Sequence, residues 1–155
     1  MAFKGHFKIA QMLIERNANI KARDDNGHTP LTGSIDVARL LLKHGANVDS
    51  QDNHGSTPMH VPPYEGSFES TQLLLEHGAT VNVRNNKGQT PLHRALALLV
   101  LSESVDVAEL LLENGADADA QDNHGSTPMH VSPYEGIIEA TQLLLKHGAN
   151  RQRAE

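Results

Sequence analysis

The chain has no cysteine and no tryptophan, and aromatic residues make up only 3% of its 155 positions. The missing cysteines exclude a disulfide framework and any thiolate metal site, and they fit a reducing compartment. The missing rings leave Leu, Ile, Val and Ala to build the core, which suits thin helical layers better than one large centre. No apolar run is long: the longest, residues 95–101, falls far short of the roughly 20 residues that span a bilayer. The first residues, Met1-Ala-Phe-Lys-Gly-His-Phe7, lack the apolar stretch of a secretory signal. Positive charge is scarce too. With 13 Lys and Arg against 19 Asp and Glu, the net charge is −6. That balance argues against a nucleic-acid backbone or an anionic membrane as main partner. A cytoplasmic location is the expectation, with the nucleus, or export as an effector by another route, left open.

The chain is instead rich in itself. Residues 51–66, Gln-Asp-Asn-His-Gly-Ser-Thr-Pro-Met-His-Val-Pro-Pro-Tyr-Glu-Gly, return as residues 121–136, and only Pro62 against Ser132 differs. A stack of equivalent units has reason to carry such a copy, because each unit buries one face on the next. A Thr-Pro pair recurs at Thr29, Thr57, Thr90 and Thr127, in steps of 28, 33 and 37 residues. Gly27, Gly55, Gly88 and Gly125 precede these pairs, each after a polar turn that opens on Asp24, Asp52, Asn85 or Asp122. A Leu-rich segment ending in Gly-Ala follows each pair, at residues 40–46, 73–79, 110–116 and 143–149, and an earlier one at 12–18 has Asn17 in place of Gly. Thr before Pro predicts a helix N-cap with Pro at the first helical position. Gly after the leucines predicts a left-handed helix end, for which Asn is the next best residue. One unit therefore reads as helix, loop, helix and turn.

This pattern, Asp-x-x-Gly-x-Thr-Pro through Leu-Leu-Leu-x-x-Gly-Ala, resembles the ankyrin repeat family over nearly the whole chain. The resemblance implies an all-α solenoid of helix-loop-helix units with short β-hairpin or turn fingers, four to five repeats in a single domain. The units read as 1–23 (partial), 24–51 (shortened), 52–84, 85–121 (extended) and 122–155. They also pair up: residues 34–42 resemble 104–112, and 68–75 resemble 138–145, so the ancestor is a block of two units. Three departures from the family pattern follow. The first Thr-Pro step is nine residues shorter than the third, which leaves at most a turn for that unit's inner helix. Pro62-Pro63 and Ser132-Pro133 fall inside two other inner helices, which should be short, kinked or 3₁₀. Residues 94–101 are then the one robust inner helix, and the outer helices are sound throughout. No polar cap follows the last helix; its apolar end is either exposed or covered by a partner, another copy or further chain.

Ten histidines invite a metal or catalytic reading. His54 and His60 lie six apart, neither a helical pair nor part of a zinc set. The resemblance gives His60, His93 and His130 a structural role, bonding the Thr hydroxyl and neighbouring backbone. His44, His77 and His147 precede the Gly of Gly-Ala and suit helix C-termini. No nucleophile elbow, phosphate loop or carboxylate pair is present. The expectation is a non-catalytic module with no cofactor and no metal, binding a protein partner of unspecified identity. The other reading is a structural unit that self-associates through uncapped ends. In ankyrin proteins the fingertips and inner helices line the concave binding face. The resemblance therefore singles out Asp25, Asn26 and His28 on the first finger, and Asn53, His54 and Ser56 on the second. It adds Asn86, Lys87 and Gln89 on the third, Asn123, His124 and Ser126 on the fourth, and Arg94 on an inner helix. Tyr64-Glu65 and Tyr134-Glu135 sit at the same inner-helix end in two units; each Tyr is either an interface anchor or a ring packed over its own Pro. Asn82 resembles the asparagines that asparaginyl hydroxylases modify in some ankyrin repeats; the other reading is an ordinary turn residue.

Overall fold

A computed structural model describes residues 2–32, 34–60, 67–98, 104–132 and 137–148. Among these residues, six α-helices and three 3₁₀ turns fall into two layers. The outer layer is α1 (Ala2–Glu15), α2 (Ile35–Lys43), α3 (Ser67–Glu76), α5 (Ser104–Glu113) and α6 (Ile137–Lys146). The inner layer is η1 (Pro30–Thr32), η2 (Pro58–His60), α4 (Pro91–Ala97) and η3 (Pro128–Val131). The polar fingers are tight turns, and no strand occurs among the described residues.

The outer helices follow from their leucines. The middle Leu of each Leu-Leu-Leu run is buried in α2, α3, α5 and α6: Leu41, Leu74, Leu111 and Leu144. Its second buried neighbour alternates. In α2 and α5 it is the third leucine, Leu42 and Leu112; in α3 and α6 it is the first, Leu73 and Leu143. The two-unit duplication thus survives in how the helices rotate onto the core. Each such side chain contributes about 1.5–3 kcal/mol by leaving water. Every outer helix ends in the left-handed region, at Asn17 (φ 60°), Gly45, Gly78, Gly115 and Gly148 (φ 78–95° among the glycines). The turn is closed by paired amides, for example Gly45 N–H to Leu42 O and Ala46 N–H to Leu41 O. Asn17 takes the glycine's place, as its substitution implied. The C-terminal histidines differ in detail: His44 caps α2 through its backbone N–H, and His77 caps α3 through its backbone N–H to Leu74 O and also its ring, Nδ1 donating to Leu73 O at 2.9 Å.

The inner layer is uneven. Among the described residues η1 is a single turn in the shortened unit, η2 covers Pro58–His60 and η3 covers Pro128–Val131. Residues 61–66 and 133–136, where Pro62, Pro63 and Pro133 fall, lie outside the described residues. Among the described residues only α4 is an inner α-helix, and it does not begin at Arg94. It starts at Pro91, because Thr90 caps it and Pro at the first position forfeits no bond. It buries Pro91, Leu92, His93, Ala95 and Leu96 and closes at Leu98, whose N–H reaches Ala95 O. Residues 99–101, the end of the expected helix, lie outside the described residues.

Candidate functional site

Along the finger row one polar device is repeated in register. Each finger opens on an Asx turn. Asp52 Oδ1 accepts the N–H groups of His54 and Ser56, both at 2.8 Å. Asp24, Asn85 and Asp122 accept the corresponding pairs at 2.8–3.0 Å. These backbone donors, His28 N–H foremost for Asp24 and His124 N–H for Asp122, hold both carboxyls below the usual range. The turn then passes through a glycine of positive φ, 73–81° across Gly27, Gly55, Gly88 and Gly125.

Successive fingers are tied by an asparagine ladder. Asn53 Nδ2 donates to Asp25 O (2.9 Å), Asn86 Nδ2 to Asn53 O (3.2 Å) and Asn123 Nδ2 to Asn86 O (2.9 Å). Their backbone N–H groups bond the next carbonyl along, on Asn26, His54 and Lys87. The glycines make room for this: a Cβ on Gly55 would lie 2.5 Å from Asn86 Oδ1 and 2.9 Å from Asn86 N.

A second tie runs below the tips. Thr57 N–H donates to His60 Nδ1 (3.1 Å), with the Thr57 hydroxyl at the same nitrogen, so the proton is on Nε2, which donates to Gln89 O in the next unit (2.9 Å). Thr90, His93 and Ser126 O repeat the arrangement. Burial pushes both imidazoles below their ordinary value, which keeps them neutral and frame-building. The Thr127–His130 pair has the same Nδ1 geometry at 3.2 and 2.9 Å, but its ring is exposed.

A third tie joins the loops after the outer helices. Asp49 accepts Thr80 N–H and, at 2.6 Å, its hydroxyl. Asn82 donates to Gly115 O (2.9 Å) and accepts Asp117 N–H (2.8 Å), so its amide is a bridge between units. At the first finger His28 adds a tie of its own, lying 3.3 Å from Asp24 Oδ2 and 3.5 Å from Asp52 Oδ2.

Against this frame the singled-out residues separate. Asn53, Asn86 and Asn123 have their amides in the ladder. Asn26, His54, Lys87 and His124, one position along, form an exposed row at the tips, and Asp25 and Arg94 are exposed beside it. His28, Ser56, Gln89 and Ser126 are half-buried at the finger base. Tyr64, Glu65, Tyr134 and Glu135 lie outside the described residues. The ladder escaped the sequence reading because its partners stand 28–37 residues apart and Asn reads first as a turn former. Its one visible signal is an Asn in the second finger position at 53, 86 and 123.

A family model for ankyrin repeats, in three copies, matches residues 1–85, 33–122 and 64–154. The chain belongs to the ankyrin repeat family. Ankyrin repeats in general are protein-interaction modules and are typically non-catalytic. No curated protein matches the chain at a significant level. Among the described residues of this ankyrin chain, no three His, Asp or Glu converge as metal ligands, and no helix is long and apolar enough to cross a membrane.

Proposed function

We propose that this ankyrin chain is a non-catalytic binding module that holds a protein partner on its concave face. The contact set is the tip row Asn26, His54, Lys87 and His124, with Asp25 and Arg94 beside it. Tyr64, Glu65, Tyr134 and Glu135 belong to the proposed set on their place in the repeat pattern alone. The observation that carries this reading is the register of the exposed tips. The ladder holds the fingers so that chemically different side chains recur at one position per unit, on a frame already ordered before binding. His28, Ser56, Gln89 and Ser126 serve as a half-buried second row, and the ladder asparagines Asn53, Asn86 and Asn123 contribute through positioning. No cofactor takes part, and residence is cytoplasmic. The absence of cysteine fits that compartment.

The test is affinity capture from source-cell lysate with two baits, the natural chain and one with His54, Lys87, Arg94 and His124 changed to Ala. All four side chains are exposed, so the thermal melt should be unchanged within a few degrees. A protein retained by the natural chain and lost by the variant supports the concave-face reading. Equal capture by two equally folded baits overturns it.

A further inference from the structure

The first junction between the loops that follow the outer helices differs from the second and third. Three of these loops make the same local turn: Asn19, Asn47 and Asp117 accept the N–H groups of Lys21, Asp49 and Asp119 at 3.0–3.1 Å. From this position Asp49 reaches across the second junction to accept Thr80 N–H, and Asn82 reaches across the third to accept Asp117 N–H. At the first junction the corresponding N–H is on Asn47, and the corresponding side chain is Lys21. An ammonium group has donors and no acceptor, so this junction has an amide and a cation where the others have an amide and its acceptor.

Two further exchanges fall at the same place. Where the second loop has Ser50, the next two have Val83 and Ala120. In the other units the residue three after the Thr of Thr-Pro is a His, whose Nδ1 meets the Thr hydroxyl. Three after Thr29 stands Thr32, which donates to Thr29 O, and the Thr29 hydroxyl pairs with Ser50 Oγ at 3.1 Å. One proton serves that pair, which leaves the other hydroxyl proton free to donate outward. A cleft of about 250 Å³ opens here, lined by Lys21, Arg23, Thr29, Asn47 and Ser50 over Ile20 and Ala46. Its walls come from two adjacent units. No acidic side chain lines it, in a chain with 19 Asp and Glu and a net charge of −6. The nearby carboxyls are engaged elsewhere, Asp49 with Thr80 and Asp24 with His28.

We propose that this cleft is a binding site for an oxyanion of the phosphate-monoester class. One oxygen takes the place that the Asp49 carboxylate holds at the second junction and accepts Asn47 N–H. The Thr29–Ser50 pair donates to another oxygen, as the Thr80 hydroxyl donates to Asp49. Lys21 and Arg23 supply two positive charges, which match a phosphate dianion better than a single carboxylate. The proposal is independent of the concave-face reading, since it uses the loops at the base of the first finger and none of the tip row.

The test keeps the chain whole. The isotope-labelled protein is titrated to millimolar concentrations, at constant ionic strength, with inorganic phosphate, N-acetyl phosphoserine amide and acetate. The expected result is saturable shifts of the Lys21, Arg23, Asn47 and Ser50 amides with both phosphates, while the Thr80 and Asp117 amides stay unmoved. Acetate should bind about tenfold more weakly. Tighter binding of the ester assigns the group to a phosphorylated chain, and tighter binding of inorganic phosphate assigns it to a free phosphate compound. Lys21→Asp installs the acceptor of the second junction in the first. Phosphate affinity should then fall by about tenfold or more, while the urea midpoint holds or rises because Asn47 N–H gains an internal partner. Arg23→Gln, a change at an exposed side chain, should weaken binding at an unchanged midpoint. No saturable shift with either phosphate, equal binding of acetate, shifts along every loop, or undiminished binding by both variants would each overturn the proposal.

Discussion

Two stretches of identical sequence, 51–60 and 121–130, sit in different surroundings, and the difference separates what a segment specifies from what its neighbours add. The local structure is the same in both. Asp52 and Asp122 close the same Asx turn, Gly55 and Gly125 have φ of 73° and 77°, and Thr57–His60 and Thr127–His130 form the same pair. Burial is not the same. His60 is 1% exposed and Met59 5%, whereas His130 is exposed and Met129 only half-buried. Identical substitutions in the two copies therefore measure the stacking contribution with local propensity cancelled.

The largest contrast should come from the histidines. His60→Ala removes a buried ring, leaves Thr57 N–H unpaired and strips Gln89 O of its cross-unit donor. The expected cost is about 3–4 kcal/mol. His130→Ala removes only the local Thr127 cap and should cost about 1 kcal/mol. Urea unfolding followed by circular dichroism gives both numbers. Equal losses would mean that the cross-unit bond to Gln89 contributes nothing.

The glycines come next. An alanine at either position is strained at positive φ by about 1–2 kcal/mol. At Gly55 the added methyl also meets Asn86 backbone and side chain, at 2.9 and 2.5 Å, so the third finger must move. Gly55→Ala should cost about 1–2 kcal/mol more than Gly125→Ala. Smaller still is the methionine pair: Met59→Ala should cost about 2 kcal/mol, and Met129→Ala about half that, because its site is already open.

The features visible in the sequence are those with a local cause. Thr90-Pro91 announces the start of α4, and the Gly-Ala pairs, with Asn17 as a stand-in, announce every outer helix end, because capping needs only neighbouring residues. The loss of inner helix at Thr29-Pro30 is equally visible, since nine residues are simply absent. The error at α4, begun at Arg94 instead of Pro91, came from following the apolar run and setting aside the cap. The ladder through Asn53, Asn86 and Asn123 was not visible, since each asparagine also suits a turn and only stacking shows whose carbonyl it reaches. These asparagines are as exposed as His54 and Lys87, and only the stacked fingers show that their amides also bond the neighbouring unit. Nothing local tells His60 from His130; their difference resides in Gln89, 29 residues further on.

The last prediction concerns pH and gives the smallest effect. His60 and His93 are pushed below the ordinary imidazole value chiefly by burial, and each uses Nδ1 to accept a Thr N–H. A second ring proton would oppose that donor, so the folded state resists protonation. An unfolded imidazole titrates near about 6.5. As pH falls through that value the unfolded chain binds protons that the folded chain refuses, and stability declines. Above about pH 7.5 the contribution is complete. The carboxyls of Asp24, Asp122 and Glu109, held below their usual values by hydrogen bonds, oppose acid only further down, toward about pH 4. Two separate declines are therefore expected, with the imidazole step first. A flat unfolding midpoint between about pH 7.5 and 5.5 would sink this account. His130→Ala should leave the imidazole step in place, because the buried rings are in the interior units, whereas His93→Gln should shrink it. That pair of variants carries the comparison of the two copies from packing into proton binding.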